Sequence, residues 1–322
     1  MVSDLRPATA ESAAATTPAP GPARARRHHG AVAGYAFVLP GFILYAVIIL
    51  YPAVRTFLMS LQDFNIAPGA VSTFIGLDNY VRAIQDPVLQ QSFVNAAFYM
   101  VATVPAQIVL GLFVAVLLDS RLPGRTVYRV LFYVPVITSW VVVSLLFQYL
   151  FSTDRGVINW FLVDVTHLAA ENVNWLGERW SAMIAISLLG IWKGIGWSML
   201  IFLAALSGVP RELHEAAALD GAGVFRRFRY VTMPFIRGTL SVVIILLVIG
   251  GFNVFTSVLL MTDGGPQDQT QVPLTYMYKQ AFTFLDFGYG SSISFLLTLV
   301  VLAFAGLQYW LTARKGQEGT TS

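Results

Sequence analysis

Apolar residues run in blocks along this chain. Six blocks reach membrane length: about 33–54, 94–118, 128–151, 181–207, 238–262 and 289–312. A membrane helix needs roughly 20 mostly apolar residues. Every backbone polar group must be satisfied internally in lipid, which favours helices. The pattern predicts an all-α integral membrane protein with six transmembrane helices. Pro40, Pro52, Pro105 and Pro135 fall inside the blocks. Such prolines are tolerated where neighbouring groups satisfy the freed carbonyls. Short connections such as 119–126 predict adjacent antiparallel helices.

Composition agrees with the pattern. The chain has 322 residues, of which 56% are hydrophobic and 11% charged, whereas soluble domains carry about 25% charge. Cysteine is absent, which removes disulfides and thiolate metal sites. The net charge of +3 is small and dispersed, so nucleic acid is not an expected partner.

Lysine and arginine placement sets the expected orientation. Fourteen of the twenty lie in residues 1–32, 119–129, 208–237 and the C-terminal tail. Five, namely Arg55, Arg82, Arg155, Arg179 and Lys279, lie in the alternate loops. Both termini and the 208–237 loop are therefore expected in the cytoplasm. The twentieth, Lys193, sits inside the fourth block.

Residues 1–32 are rich in Ala, Pro, Thr and Arg, and read as a disordered cytoplasmic tail. A twin-arginine or secretory signal is the rival reading of Arg24, Arg26 and Arg27. The uncharged run that follows exceeds a signal core of roughly 7–15 residues. Residues 314–322 form a C-terminal tail.

The stretch 210–234 is one of few charged, helix-forming islands. Pro210 suits a helix start and Glu212 favours the positive end of the helix. Leu213, Ala216 and Ala217 fall at i, i+3 and i+4. Gly221 is a plausible stop, and Arg226, Arg227 and Arg229 form a basic segment after it. The arginines read most simply as contacts to lipid headgroups.

Several chemistries are missing. No G-x-x-x-x-G-K-[ST] motif occurs, so the chain has no P-loop for ATP. His214-Glu215 begins a zinc motif, but position 218 is Ala. Gly288-Tyr289-Gly290-Ser291 lacks nucleophile-elbow spacing. His167 and His214 are isolated, so no metal site is expected. No paired carboxylates lie within a span, although ion-coupled pumps use such groups.

Glu215-Ala216-Ala217, then Asp220-Gly221, nine residues, and Val231-Thr232-Met233-Pro234 resemble the EAA loop of binding-protein-dependent ABC importer permeases. The pattern is E-A-A-x-x-D-G-x9-I-x-L-P, with Val231 and Met233 as mild departures. Phe74-Ile75-Gly76-Leu77-Asp78-Asn79-Tyr80, Asp86-Pro87, Gly124 with Arg129, Thr262 to Pro266, and Phe287-Gly288-Tyr289 look like the carbohydrate branch, in its MalF/UgpA-type member. The resemblance covers about 35–312.

It implies an ABC transmembrane permease domain over 33–313, in a bacterial or archaeal plasma membrane. The implied partners are a second, MalG/UgpE-like permease, a cytoplasmic ABC ATPase dimer, an extracytoplasmic solute-binding protein and membrane lipid. No cofactor is implied in this chain, since ATP and Mg would be bound by the ATPase. Glu215, Ala216, Ala217, Asp220, Gly221 and Pro234 are the implied coupling residues. The cargo is expected to be a sugar or oligosaccharide. Glycerol-3-phosphate or a glycerophosphodiester is the alternative within the class, and an ion-coupled carrier the alternative outside it.

Candidates for the substrate path are Lys193, Gly194 and Trp197 in the fourth block and Gly251 and Asn253 in the fifth. An intramembrane lysine costs about 3 kcal/mol on insertion scales, so Lys193 should face a wet cavity or a carboxylate on the second permease. Trp192 and Trp197 suit stacking on sugar faces. Gly190 and Gly194 form a G-x-x-x-G, whose commoner role is close helix packing. Asn253 could bond ligand or bridge helices. The 263–288 loop, with Tyr276, Tyr278, Phe282 and Phe284, is expected to form an interfacial helix.

Overall fold

The structure is a computed structural model that describes residues 27–64, 66, 71–120 and 123–317. Residues 1–26 of the expected disordered tail lie outside the described residues, as do 318–322 of the C-terminal tail. Residues 27–32 are helical, and 314–317 extend the last helix.

The chain divides into two units, Met1–Arg55 and Thr56–Ser322. The first contains α1 (Arg27–Tyr45), a π-helical turn (Ala46–Leu50) and the start of α2 (Tyr51–Ser60). The second holds the rest of α2 and a two-residue antiparallel ladder, β1 (Gln62–Asp63) with β2 (Thr73–Phe74). Helices α3 (Asp78–Gln85), α4 (Pro87–Asp119), α5 (Arg125–Ile137), α6 (Trp140–Leu150), α7 (Val157–Asn159) and α8 (Arg179–Ser207) follow. Then come α9 (Arg211–Leu219), α10 (Val224–Arg227), α11 (Met233–Phe252), α12 (Thr256–Met261), α13 (Pro273–Tyr278) and α14 (Phe287–Gln317).

Among the described residues, five helical runs are long and apolar enough to cross a membrane: Phe37–Ser60, Pro87–Asp119, Arg179–Ser207, Val224–Met261 and Phe287–Trp310. The third expected helix, 128–151, is not continuous. It is α5 and α6, bent by 95° at residues 138 and 139. Pro135 lies in the last turn of α5, where its ring cannot donate to the ladder. Thr138 and Ser139 are then extended, with ψ of 147° and 134°.

Two other boundaries differ for local reasons. Helix α4 starts at Pro87 and not at 94, because Asp86 caps it. The Asp86 Oδ1 atom accepts the N–H groups of Val88 at 2.8 Å and Leu89 at 3.3 Å, and Pro87 fits the first position. The fifth run begins at Val224 because the basic segment is itself helical. Helix α10 and a π-helical turn (Phe228–Thr232) lead straight into α11. The same run is interrupted after Phe252, and Asn253 caps the break.

Two buried apolar clusters lie along the long helices. One joins Ala96 and Tyr99 of α4, Met183, Ile186 and Leu189 of α8, and Phe252, Val258 and Met261. The other joins Val114, Ala115 and Leu118 of α4 with Met199, Phe202 and Leu206 of α8 and Ile236 and Val243 of α11. Helices α4 and α8 run close together. A Cβ on Gly111 would lie 2.6 Å from the Ser198 Cβ and 3.1 Å from the Met199 nitrogen.

Beyond these clusters the outer face of the bundle stays apolar and uncovered. Val101, Val109, Phe113, Val142, Leu299 and Leu302 are all exposed. A contiguous apolar surface of this kind belongs in lipid or against another membrane subunit.

Candidate functional site

A cavity of about 270 Å³ opens between the two apolar clusters, midway along α4 and α8. Helix α4 contributes Tyr99, Thr103 and Gln107, spaced i, i+4 and i+8 on one face. Helix α8 contributes Gly190, Lys193, Gly194 and Trp197, and α11 contributes Leu246, Leu247, Gly250 and Gly251. Val136 and Trp140, from the two sides of the broken third run, complete the wall. Four of the expected path residues, Lys193, Gly194, Trp197 and Gly251, thus share one cavity.

The glycines bring the wall helices close. A Cβ on Gly194 would overlap the Gln107 amide, and one on Gly190 would overlap the Tyr99 hydroxyl. The Gln107 Nε2 donates to the Gly190 carbonyl at 3.2 Å. Close packing of α4 on α8 therefore accounts for the G-x-x-x-G spacing, as the commoner role suggested.

Lys193 is 4% exposed. Its Nζ donates to the carbonyls of Pro135 at 2.7 Å, Thr138 at 2.6 Å and Val136 at 3.4 Å. It also lies 5.0 Å from the centroid of the Trp140 ring. No carboxylate lies within ion-pair distance of it among the described residues.

Asn253 falls at the break after α11. It is exposed, is not among the cavity-lining residues, and its Nδ2 donates to Ile249 O at 2.8 Å. Trp192 packs on Phe147 with ring centroids 5.7 Å apart, also outside the lining.

Sequence reasoning missed Tyr99, Thr103, Gln107 and Trp140. The signal was present for three of them, as a polar stripe at four-residue spacing inside an otherwise apolar block. Trp140 carried no comparable signal, because its position depends on the bend.

The second feature is α9 and its exit. Helix α9 ends in a Schellman arrangement. Gly221 N–H bonds Ala218 O at 3.1 Å and Ala222 N–H bonds Ala217 O at 2.9 Å. Gly221 has φ of +75°, a conformation that costs a side-chain-bearing residue roughly 1–2 kcal/mol. Glu215, Ala216, Asp220 and Gly221 are exposed, Ala217 is half-buried, and Pro234 lies near the start of α11. Leu219, Phe225 and Tyr230 around them are 90%, 80% and 73% exposed. That is an apolar surface with charged neighbours, left uncovered by the chain itself.

On the far side of α4, Asp86 organises the loops. Its Oδ2 accepts the hydroxyls of Tyr276 and Tyr289, each at 2.6 Å. Burial pushes the Asp86 carboxyl up. Hydrogen bonds from Tyr276, Tyr289 and the N–H groups of Leu89 and Val88 outweigh that and hold it below the usual carboxylate value. Burial and the adjacent Asp86 raise the Tyr276 hydroxyl. Arg82 bonds Asp286 at 2.7 Å and lies 3.9 Å over the Tyr289 ring. Helix α13 gives the expected loop a helix, but Tyr276 is buried in this network, whereas Phe282 and Phe284 are exposed.

A helical membrane bundle with a central cavity, and a short uncovered helix between two membrane-length runs, defines a polytopic permease. Residues 107–317 match the family described as binding-protein-dependent transport system inner membrane component, and the chain belongs to that family. It is accordingly a multi-pass membrane protein. It is 33% identical over 292 residues to the arabinooligosaccharides transport system permease protein AraP of Halalkalibacterium halodurans, covering 89% of this chain and 90% of that one. It is 33% identical over 280 residues to the trehalose/maltose transport system permease protein MalF of Thermococcus litoralis, covering 86% and 92%. Its fold is similar to that of a chain in the crystal structure of a bacterial ABC transporter involved in the import of the acidic polysaccharide alginate. That match has a TM-score of 0.77 and 20% identity and covers 89% of this chain and 96% of the other.

Proposed function

We propose that this chain is one of two permease subunits of an ATP-driven, binding-protein-dependent importer for a sugar or oligosaccharide. The names of its relatives AraP and MalF support the cargo class. The cavity suits it, because aromatic walls and a few polar groups are what a sugar ring and its hydroxyls need. With the bent pair counted as one span the chain crosses the membrane six times. The fourteen-to-five excess of basic residues supports cytoplasmic termini.

The observation that carries the mechanism is α9. It is short, closed at its C-terminal end by Gly221 and Ala222, and uncovered. A cytoplasmic ATPase subunit supplies the groove it enters, with Ala216 and Ala217 allowing close approach and Glu215 and Asp220 accepting hydrogen bonds. ATP and Mg stay in that subunit. Its closure moves α9 as a rigid lever, and because α10 runs without a break into α11 the motion reaches the cavity wall. Such rocking about a fixed site is the usual form of alternating access. A solute-binding protein delivers cargo to the opposite face.

The experiment is uptake into proteoliposomes holding this chain, the second permease and the ATPase, with a labelled arabino- or malto-oligosaccharide and the cognate binding protein. Uptake should need ATP inside the ATPase compartment and the binding protein on the other side. Uptake by the permease pair alone, without nucleotide, would overturn the reading.

A further inference from the structure

We propose that Lys193 is a positioning residue of the path: it clasps the end of α5, holds α5 and α6 at their bend, and so fixes Trp140 in the cavity wall. This rests on the reading of the cavity as the path, but its first test does not.

A helix end leaves its last four carbonyls without intrahelical donors. In α5 these belong to residues 134–137: Pro135 is buried and Val136 half-buried, Val134 and Ile137 lie on the exposed apolar face that meets lipid, and the Thr138 hydroxyl donates to the Pro135 carbonyl at 2.7 Å. An unsatisfied carbonyl in such surroundings costs on the order of several kcal/mol. Lys193 answers this from α8. Its ammonium has three N–H donors, and three carbonyls converge on it: Pro135 and Val136 within the last turn, and Thr138 just beyond. A cation also complements the negative end of a helix.

The same contact explains why the fourth run tolerates a charge at its middle. With its donors already engaged, the lysine has none free for a sugar hydroxyl, so a direct ligand role is not what this geometry supports. What it does control is the wall. Trp140 is the first residue of α6, directly after the bend, and its ring lies under the ammonium at 5.0 Å, within the range of a cation–π contact. Gly196, one turn along α8, lets the two helices touch: a Cβ there would overlap the Phe132 carbonyl. Helix α8 therefore grips the end of α5 at two points, one steric and one electrostatic.

The absence of native cysteine makes the bend measurable. Val130 on α5 and Leu146 on α6 are both exposed and accept spin labels after Val130→Cys and Leu146→Cys substitution. A straight helix would hold them ~24 Å apart at 1.5 Å per residue, and the bend holds them closer. The distance is read in the assembled, substrate-free complex in lipid nanodiscs. Lys193→Met, which has no donor, should add a longer-distance population and lower the maximal uptake rate about tenfold. Lys193→Gln, which keeps two donors, should retain the short distance, with KM for uptake within about twofold of the native value.

A native distance in Lys193→Met, with KM raised at unchanged maximal rate, would make Lys193 a ligand donor and overturn the proposal. If the Met variant does not assemble, the Gln variant decides: a kept bend with native KM supports the clasp, and a kept bend with KM raised tenfold contradicts it. Failure of the sugar reading alone would leave the distance result standing.

Discussion

Gly221 donates its backbone N–H to the carbonyl of Ala218 at 3.1 Å, from a left-handed backbone with φ of +75°. This bond closes α9 and turns the chain toward α10. A Cβ at Gly221 would meet nothing within 4 Å, so the constraint is conformational, not steric. Gly221→Ala should therefore destabilise the turn by about 1 kcal/mol and reduce binding-protein-stimulated ATP hydrolysis only in part. Gly221→Asn, which tolerates this region better, should be milder. Gly221→Pro can neither donate nor reach this φ and should abolish stimulation. Hydrolysis rates of the three reconstituted variants check the order.

Asp86 ties four segments together: it caps α4 and receives hydroxyls from α13 and α14, beside α3. Its carboxyl is held below its ordinary value of 3.8. A depressed carboxylate adds stability above its unfolded pKa and loses it as pH falls through the folded one. The network should thus persist through neutral and mildly acidic pH and fail only below the ordinary carboxylate range. Asp86→Asn keeps the helix cap but loses the charge in two hydroxyl bonds, each worth roughly 1.5–3 kcal/mol when charge-assisted. Thermal unfolding in detergent should show a lower midpoint for the variant at pH 7, with the gap closing as pH falls below 4.

Gln107 sits at the end of the polar stripe on α4, 7% exposed, with its Nε2 on Gly190 and its side chain in the cavity lining. As part of the proposed path it should touch cargo. Gln107→Leu keeps the bulk and removes the amide. KM for oligosaccharide uptake should rise about tenfold, the size of one lost hydrogen bond of ~1.4 kcal/mol, with little change in maximal rate. An unchanged KM would take Gln107 out of the contact set.

Five of the six expected membrane-length helices were legible because apolar blocks of that length leave few other options. The short helix α9 was legible too, since Pro210, Glu212 and Gly221 mark its ends by local chemistry. The bend at Thr138 was not. Pro135 lies in an apolar run like Pro40 and Pro105, which stay inside helices. What distinguishes it is Lys193, some sixty residues away, whose ammonium makes the broken end tolerable. The cavity was half legible for the same reason. Its α8 wall shows in sequence as glycines and a lysine, whereas Tyr99 and Gln107 take meaning only once α4 is seen against α8. Asn253 shows the reverse case, a polar residue in a span whose amide serves the carbonyl of Ile249 on its own helix.

The most direct measurement is ATP hydrolysis by the reconstituted importer carrying Glu215→Lys, with and without loaded binding protein. Glu215 is exposed on α9, so the substitution leaves the bundle intact and reverses the charge offered to the ATPase. The coupling account expects a membrane-inserted chain whose hydrolysis no longer rises when loaded binding protein is added. Stimulation at the native level in that variant would contradict it.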